Sequence, residues 1–177
     1  MSENNSQVTH GAMEATSDAA TYARTESARA QLAAELCGLG ATMSAAMEAL
    51  PGFVPCGHAF GEVIGGLAAV AASDSEEELA EAAARVRARS EHVSAHRGVP
   101  QGVPAAPALD DPAVALLWAA LRGIAVDVER AMRLGRMEDG LDVFLVTALA
   151  ALGAGTTDHA LLMRAGAAAK MAHELAA

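Results

Sequence analysis

Pro51–Ala72, PGFVPCGHAFGEVIGGLAAVAA, sets a turn directly before a segment that is apolar or small on every side, which reads as the entry to a buried helix. Pro51 ends whatever helix precedes it, because proline disfavours helical geometry in the residue before it. With Pro55 standing just before the helix start, His58 and Glu62 fall four apart and share a face. Phe60, Val63 or Ile64, Leu67 and Val70 line another. Beside the His58/Glu62 pair the following turns offer only Gly65, Gly66 and Ala69. Residues that small admit either a neighbouring helix at close range or a ligand next to a polar pair.

Upstream of this stretch, Leu32, Leu36, Leu39, Met43, Met47 and Leu50 recur at steps of three and four, with Tyr22 further back. They predict a long helix from Ser17 or Asp18 to Leu50, loosened midway by Gly38 and Gly40. Residues 1–16 are polar and aperiodic and read as a disordered arm. Downstream, Ser73–Ser75 followed by Glu76, Glu77 and Glu78 is a helix start, with acidic residues at the positive end of the dipole. That helix spans 75–97 on a thin stripe of Leu79, Ala82, Ala83, Val86 and Val93, as an outer helix would.

Gly98–Asp110 carries three prolines and, fully extended, reaches about 40 Å. This suits a crossover from one end of a bundle to the other; a lid or an interdomain linker are the other roles such a loop takes. Asp110 or Asp111 then caps a fourth helix with Pro112 in its first turn. Its stripe runs Val114, Leu117, Trp118, Leu121, Ile124, Ala125, Val128 and Met132. A fifth helix, from Asp139 to about Leu152, is apolar all round, and Thr156 or Thr157 caps a sixth. The expected fold is all-α, a single bundle of five to six helices over 17–177. Its halves, 17–97 and 110–177, are joined by the proline-rich loop, and the helices at 53–72 and 139–152 lie innermost.

Composition limits what such a bundle does. At 177 residues one domain with a real core is the default. Hydrophobic residues make up 53% but aromatics only 3%, so the core must come from aliphatic side chains and close Ala/Gly contacts. A core that thin calls for tight packing or self-association, and a homodimer is expected. The alanine and arginine bias points to a GC-rich bacterial gene. A net charge of −10 argues against a nucleic-acid partner and against anionic lipid. The N-terminus lacks the basic and apolar regions of a secretory signal, and Glu62, Arg122 and Asp142 interrupt the best apolar runs. A cytoplasmic protein without a membrane span is therefore expected. Cys37 and Cys56, roughly 20 Å of helix rise apart on this reading, do not suggest a disulfide.

Three groups of residues carry candidate chemistry. Cys56 and His58 at a helix N-terminus form an activated-thiol arrangement, or His58 serves as general base with Glu62 orienting it. The same residues also read as a small buried thiol, a capped histidine and its exposed partner. His92 and His96 are four apart on one helix, but Arg85 and Arg89 on that face repel a cation, and Glu81 offers Arg85 a partner. No metal and no cofactor are expected. Asp127 and Glu129 flank the stripe of the fourth helix, Asp142 falls in the first turn of the fifth where the dipole accounts for it, and Asp127 is the candidate to point inward toward the His58 region. P-loop, dinucleotide, nucleophile-elbow and di-iron carboxylate motifs are absent. The expectation is a protein that binds, and in one reading transforms by acid/base chemistry, a small organic molecule beside His58. Cys56, Glu62 and Asp127 would assist, and Gly65, Trp118 and Phe144 would line the pocket. The alternative is a non-enzymatic helical dimer or partner-binding module.

Overall fold

The computed structural model describes the backbone of residues 4–53, 57–136 and 140–177, with side chains over these ranges from Asp18 onward. The described residues form six helices and no strand: α1 (Asn4–Ala49), α2 (Gly57–Ala72), α3 (Glu76–Arg97), α4 (Pro112–Arg133), α5 (Leu141–Ala154) and α6 (His159–Ala176).

Helix boundaries follow local chemistry. Ser75 caps α3 by accepting from the Glu78 N–H, with Glu76, Glu77 and Glu78 in the first turn. Asp111 caps α4 through the Ala113 and Val114 amides, and Pro112 occupies a first-turn position whose amide needs no partner. α3 stops at Gly98, whose φ of +65° is the left-handed conformation that glycine adopts without strain. α6 is capped by Asp158, which accepts from Leu161, and not by Thr156 or Thr157. The Thr156 amide is already used to close α5, donating to the Ala151 carbonyl at 2.9 Å. α1 is helical from Asn4, so most of the segment read as an arm continues this helix. Extending an existing helix needs no new nucleus.

Cross-helix contacts order the chain. Going along α1, Arg24 meets Glu76, Arg29 meets Asp74, Glu35 meets Arg87 and Thr42 meets Ser90, so α3 runs parallel to α1. α2 returns between them, and α5 runs antiparallel to α1, with Leu149 against Gly40 and Gly153 against Cys37. α6 runs parallel to α4, joined by Asp127–His173 and by Arg136 donating to the Leu175 carbonyl. The first helix of each half therefore packs most extensively on the third of its own half and on the second of the other: α1 on α3 and α5, α4 on α6 and α2. The two three-helix halves are pseudo-symmetric in their pairing.

The most enclosed element is the middle of α1, not α2. Residues 35–40 are buried without interruption, and Leu32, Leu36, Leu39 and Met43 are fully buried. α2 leaves Gly57, His58, Gly65, Ala71 and Ala72 exposed along one side. Tyr22 and Met132, both counted in apolar stripes, are exposed, and Ala131 takes the buried place on α4. Gly38 and Gly40 do not loosen α1. A Cβ on Gly40 would lie 2.6 Å from the Leu149 Cβ and 2.9 Å from the Ala150 nitrogen, so its bare backbone is what lets α5 come so near. Gly38 does the same for the α3–α4 connection, where Gly102 and Pro104 rest on it.

That connection is held down by one hydroxyl. Thr42 Oγ1 donates to the Gly38 carbonyl at 2.9 Å and accepts from the Gly102 amide and the Ser90 hydroxyl, each at 2.8 Å. Both lone pairs and the proton are used, which is how a fully buried polar group avoids a desolvation penalty. Further on, Leu109 comes level with Glu26, Arg29, Ala30 and Ala33 of α1, where α4 begins.

Candidate functional site

The residues expected to form one site are dispersed. His58 is exposed in the first turn of α2 and lines none of the cavities described below. Glu62 turns toward α3, where its carboxylate meets Arg85 at 3.6 Å, in the place that the spacing offered to Glu81. Cys56 lies outside the described residues. Asp127 faces α6 and sits 3.6 Å from the His173 Nδ1. Gly65 is exposed with open space around it, whereas the adjacent Gly66 is the close contact, its absent Cβ leaving room for Leu36. Phe144 lines a shallow apolar cleft of about 270 Å³ between α5 and α6, under the guanidinium of Arg164 at 5.7 Å.

Trp118 lines a different cavity, which shares no residue with that one. It is a cleft of about 400 Å³ among α1, α2, α4 and the end of the proline-rich connection. Ala30, Ala33, Val70, Ala71, Leu109 and Trp118 form its apolar walls, and Glu26, Arg29 and Arg122 supply its charge. The small residues of α1 and α2 create the space, because alanines facing a tryptophan leave the volume of their missing side chains unfilled. A second cavity of about 290 Å³ lies on the other side of the Glu26–Arg29 pair, lined by Asp18, Thr21, Tyr22, Thr25 and Asp74.

The two arginines of the Trp118 cleft differ in what holds them. Arg29 is fixed on three sides: Nη1 pairs with Glu26, while Nη2 donates to the Ser73 carbonyl at 2.7 Å and to Asp74 at 3.3 Å. Its Nε is buried and has no hydrogen-bond partner. Arg122 has a buried Nε in the same condition, and among the described residues no carboxylate lies within ion-pair distance of it. Arg122 was visible in the sequence as the single charge between Pro112 and Val126. A charge inside an apolar helical run is the signal that marks it, although from sequence alone that charge says only that the run does not span a membrane.

Other reactive groups are quiet. Cys37, on the enclosed part of α1, has its thiol pushed up to about 12 by burial. In a Cys56→Ser variant at pH 8, Cys37 should react with a disulfide reagent at least about 1,000-fold more slowly than an exposed thiol, and at the ordinary rate after unfolding. The raised value also makes the folded state bind the proton longer than the unfolded one. This contribution to stability is complete below about pH 9 and is lost as pH rises toward 12. His92 and His96 stack with ring centroids 4.1 Å apart on the exposed face of α3. Among the described residues no group of three or more His, Cys, Asp or Glu is placed to hold a metal ion, and no helix is long and apolar enough to cross a membrane. Compared with known proteins, the chain matches no family model, no curated protein and no solved structure.

Proposed function

We propose that this protein binds a small organic molecule in the cleft beside Trp118. The observation that carries the reading is a cavity of about 400 Å³ with an aromatic and aliphatic lining and a few charged groups, within the size range of ligand sites. Its rim is built by three helices and a pinned connection, so the shape exists before a ligand arrives. Binding is favoured over transformation, because Glu26 is engaged by Arg29 and neither His58 nor Asp127 lines the cleft. The test is a thermal-shift panel of phenylacetate, octanoate and their amides, run on the wild type and on Ala30→Phe. Ala30 is an exposed wall residue whose enlargement fills the cleft without entering the core. At least one probe should raise Tm in the wild type and none in the variant. A probe that stabilises both proteins equally binds elsewhere and removes the reading.

A second reading, self-association, has its own observation. Leu116 and Val126 on α4 are 61% and 47% exposed and, with exposed Ala119 and Gly123 between them, make one apolar stripe at helical spacing. A homodimer through this face predicts a solution mass twice the chain's 17.9 kDa, returning to 17.9 kDa in Leu116→Glu. A wild type that is monomeric at high micromolar concentration rejects it.

A further inference from the structure

The geometry points to a two-fold homodimer in which α4 packs antiparallel on α4 of a second copy, with the axis midway between Ala119 and Gly123. This rests on the self-association reading and adds the arrangement that the face selects. The outer face of α4 carries Pro112, Leu116, Ala119, Gly123, Val126 and Arg130, all exposed, at alternating steps of four and three. That alternation keeps one seam turned toward a facing helix along the whole element. Within the seam the sizes read the same from either end: a large apolar residue, two small ones, a large apolar residue. Such an order matches an isologous contact, in which one patch meets itself in reverse. Leu116 lies opposite Val126 of the second copy and Ala119 opposite its Gly123, and the two-fold repeats both contacts. The smallest members thus meet at the crossing, where the distance between helix axes is set by the side chains present.

Charge fixes the direction of packing. Asp110 and Arg130 are exposed at opposite ends of α4, and among the described residues neither has an ion-pair partner. Antiparallel packing sets Pro112 opposite Arg130 of the second copy, so that this arginine comes beside Asp110 at each end of the contact. It also sets the two helix dipoles in opposition. Parallel packing would instead turn Arg130 against Arg130 and Asp110 against Asp110. Residues 110–136 hold four acidic residues and four arginines, so this region is neutral in a chain of net charge −10. The rest of the surface carries the net charge and repels its own image, which leaves α4 as the face where two copies approach at least cost. A seam that is its own complement in both size and charge is fitted by a second copy of this chain, not by an unrelated partner.

Cross-linking and sedimentation equilibrium of the full chain test this, with circular dichroism and Tm verifying that each variant is folded. In a Cys56→Ser background, where Cys37 stays buried and unreactive, Leu116→Cys and Val126→Cys are oxidised separately and as a mixture. Antiparallel packing holds the two copies of residue 116 about 15 Å apart along the helix, beyond the reach of a disulfide, and sets residue 116 opposite 126. The expected result is a covalent dimer in the mixture and none from either variant alone. Arg130→Asp and Asp110→Arg should each weaken the dimer roughly tenfold, and the double variant, which restores opposite charges at both ends, should return it to within about twofold of the wild type. A wild type that is monomeric at high micromolar concentration overturns the self-association reading together with this inference and leaves the stripe to another occupant. A dimer that persists in Leu116→Glu uses another face, with the same consequence. A dimer that Leu116→Glu dissociates, but in which Leu116→Cys cross-links to itself, keeps self-association through α4 and overturns the antiparallel arrangement. Single charge reversals that leave the dissociation constant unchanged overturn the Asp110–Arg130 register.

Discussion

Gly40→Val should leave little folded protein at 25 °C, and Gly40→Ala should lower Tm by roughly 4–8 °C. The reason lies in what a side chain there would strike. Its Cβ would stand 2.6 Å from the Leu149 Cβ, 2.9 Å from the Ala150 nitrogen and 3.1 Å from the Leu149 carbonyl carbon, and two of these atoms are backbone. Backbone cannot rotate aside, so α5 must move as a unit, carrying Gly153 away from Cys37. Overpacking of this kind costs about 1–3 kcal/mol and sometimes more, against about 1 kcal/mol gained from alanine's helix propensity. Because two of the contacts are backbone, the cost lies at the upper end of that range, about 3 kcal/mol, which leaves a net loss near 2 kcal/mol for alanine, at roughly 2–4 °C per kcal/mol for a domain of this size. Valine adds two methyl groups at the same contact, and its cost approaches the whole stability of a small domain, about 5–15 kcal/mol. Gly65→Ala is the control of opposite sign. It lies inside α2 with nothing within 4 Å of the position, so alanine should raise Tm by roughly 2–4 °C. Thermal melts of the three variants check the set.

Removing Arg87 should destabilise the protein far more than removing its partner. Glu35 is a carboxylate in the enclosed middle of α1, only 4% exposed, and Arg87 is its ion-pair partner, with Nε at 2.8 Å and Nη2 closing the second contact. The pair also holds the Arg87 guanidinium charged more firmly than usual, chiefly through the hydrogen bond to Glu35. Arg87→Met strands the carboxylate in the core, and a buried charge that has lost its partner costs about 3–5 kcal/mol. Glu35→Met instead leaves an arginine whose side chain is half exposed and returns to water. The double variant removes the buried charge together with its partner and should recover most of the loss. Urea melts of the two singles and the double should rank Arg87→Met lowest. Equal losses in both singles would mean that Glu35 is better solvated than its burial implies.

The elements of this fold were legible wherever the signal is local. Pro51–Gly52, Ser75 with three glutamates, Gly98 and Asp111–Pro112 each act through their own backbone and mark ends that the structure reproduces. The similarity of the halves was legible as one apolar helix between more polar ones in each. Which helix lies deepest was not. α2 is largely alanine and glycine and α5 largely leucine, valine and alanine, so neither shows a polar stripe, and that uniformity conceals which side is covered. α1 carries charge and still occupies the centre, because Glu35 brings Arg87 with it.

The candidate site was legible in only one residue of its frame, Trp118. Helical spacing placed His58 and Glu62 on a common face, as it must, but spacing says nothing about what that face meets. Glu62 meets Arg85 and His58 meets water. Arg122 was overlooked because its flanks suggested only an interrupted apolar run; what distinguishes it is a donor without an acceptor, which no sequence displays. Gly38 and Gly40 were misjudged for a related reason. Within an isolated helix glycine weakens, whereas at a crossing it sets the distance between backbones.

Because Trp118 is the sole tryptophan, its indole N–H gives a single resonance that reports on the cleft. Titrating phenylacetate, octanoate and their amides into isotope-labelled protein should move that resonance along a saturable curve for at least one probe, and Ala30→Phe should abolish the movement. An indole signal that stays fixed at saturating concentrations of every probe contradicts the assignment of function to this cleft.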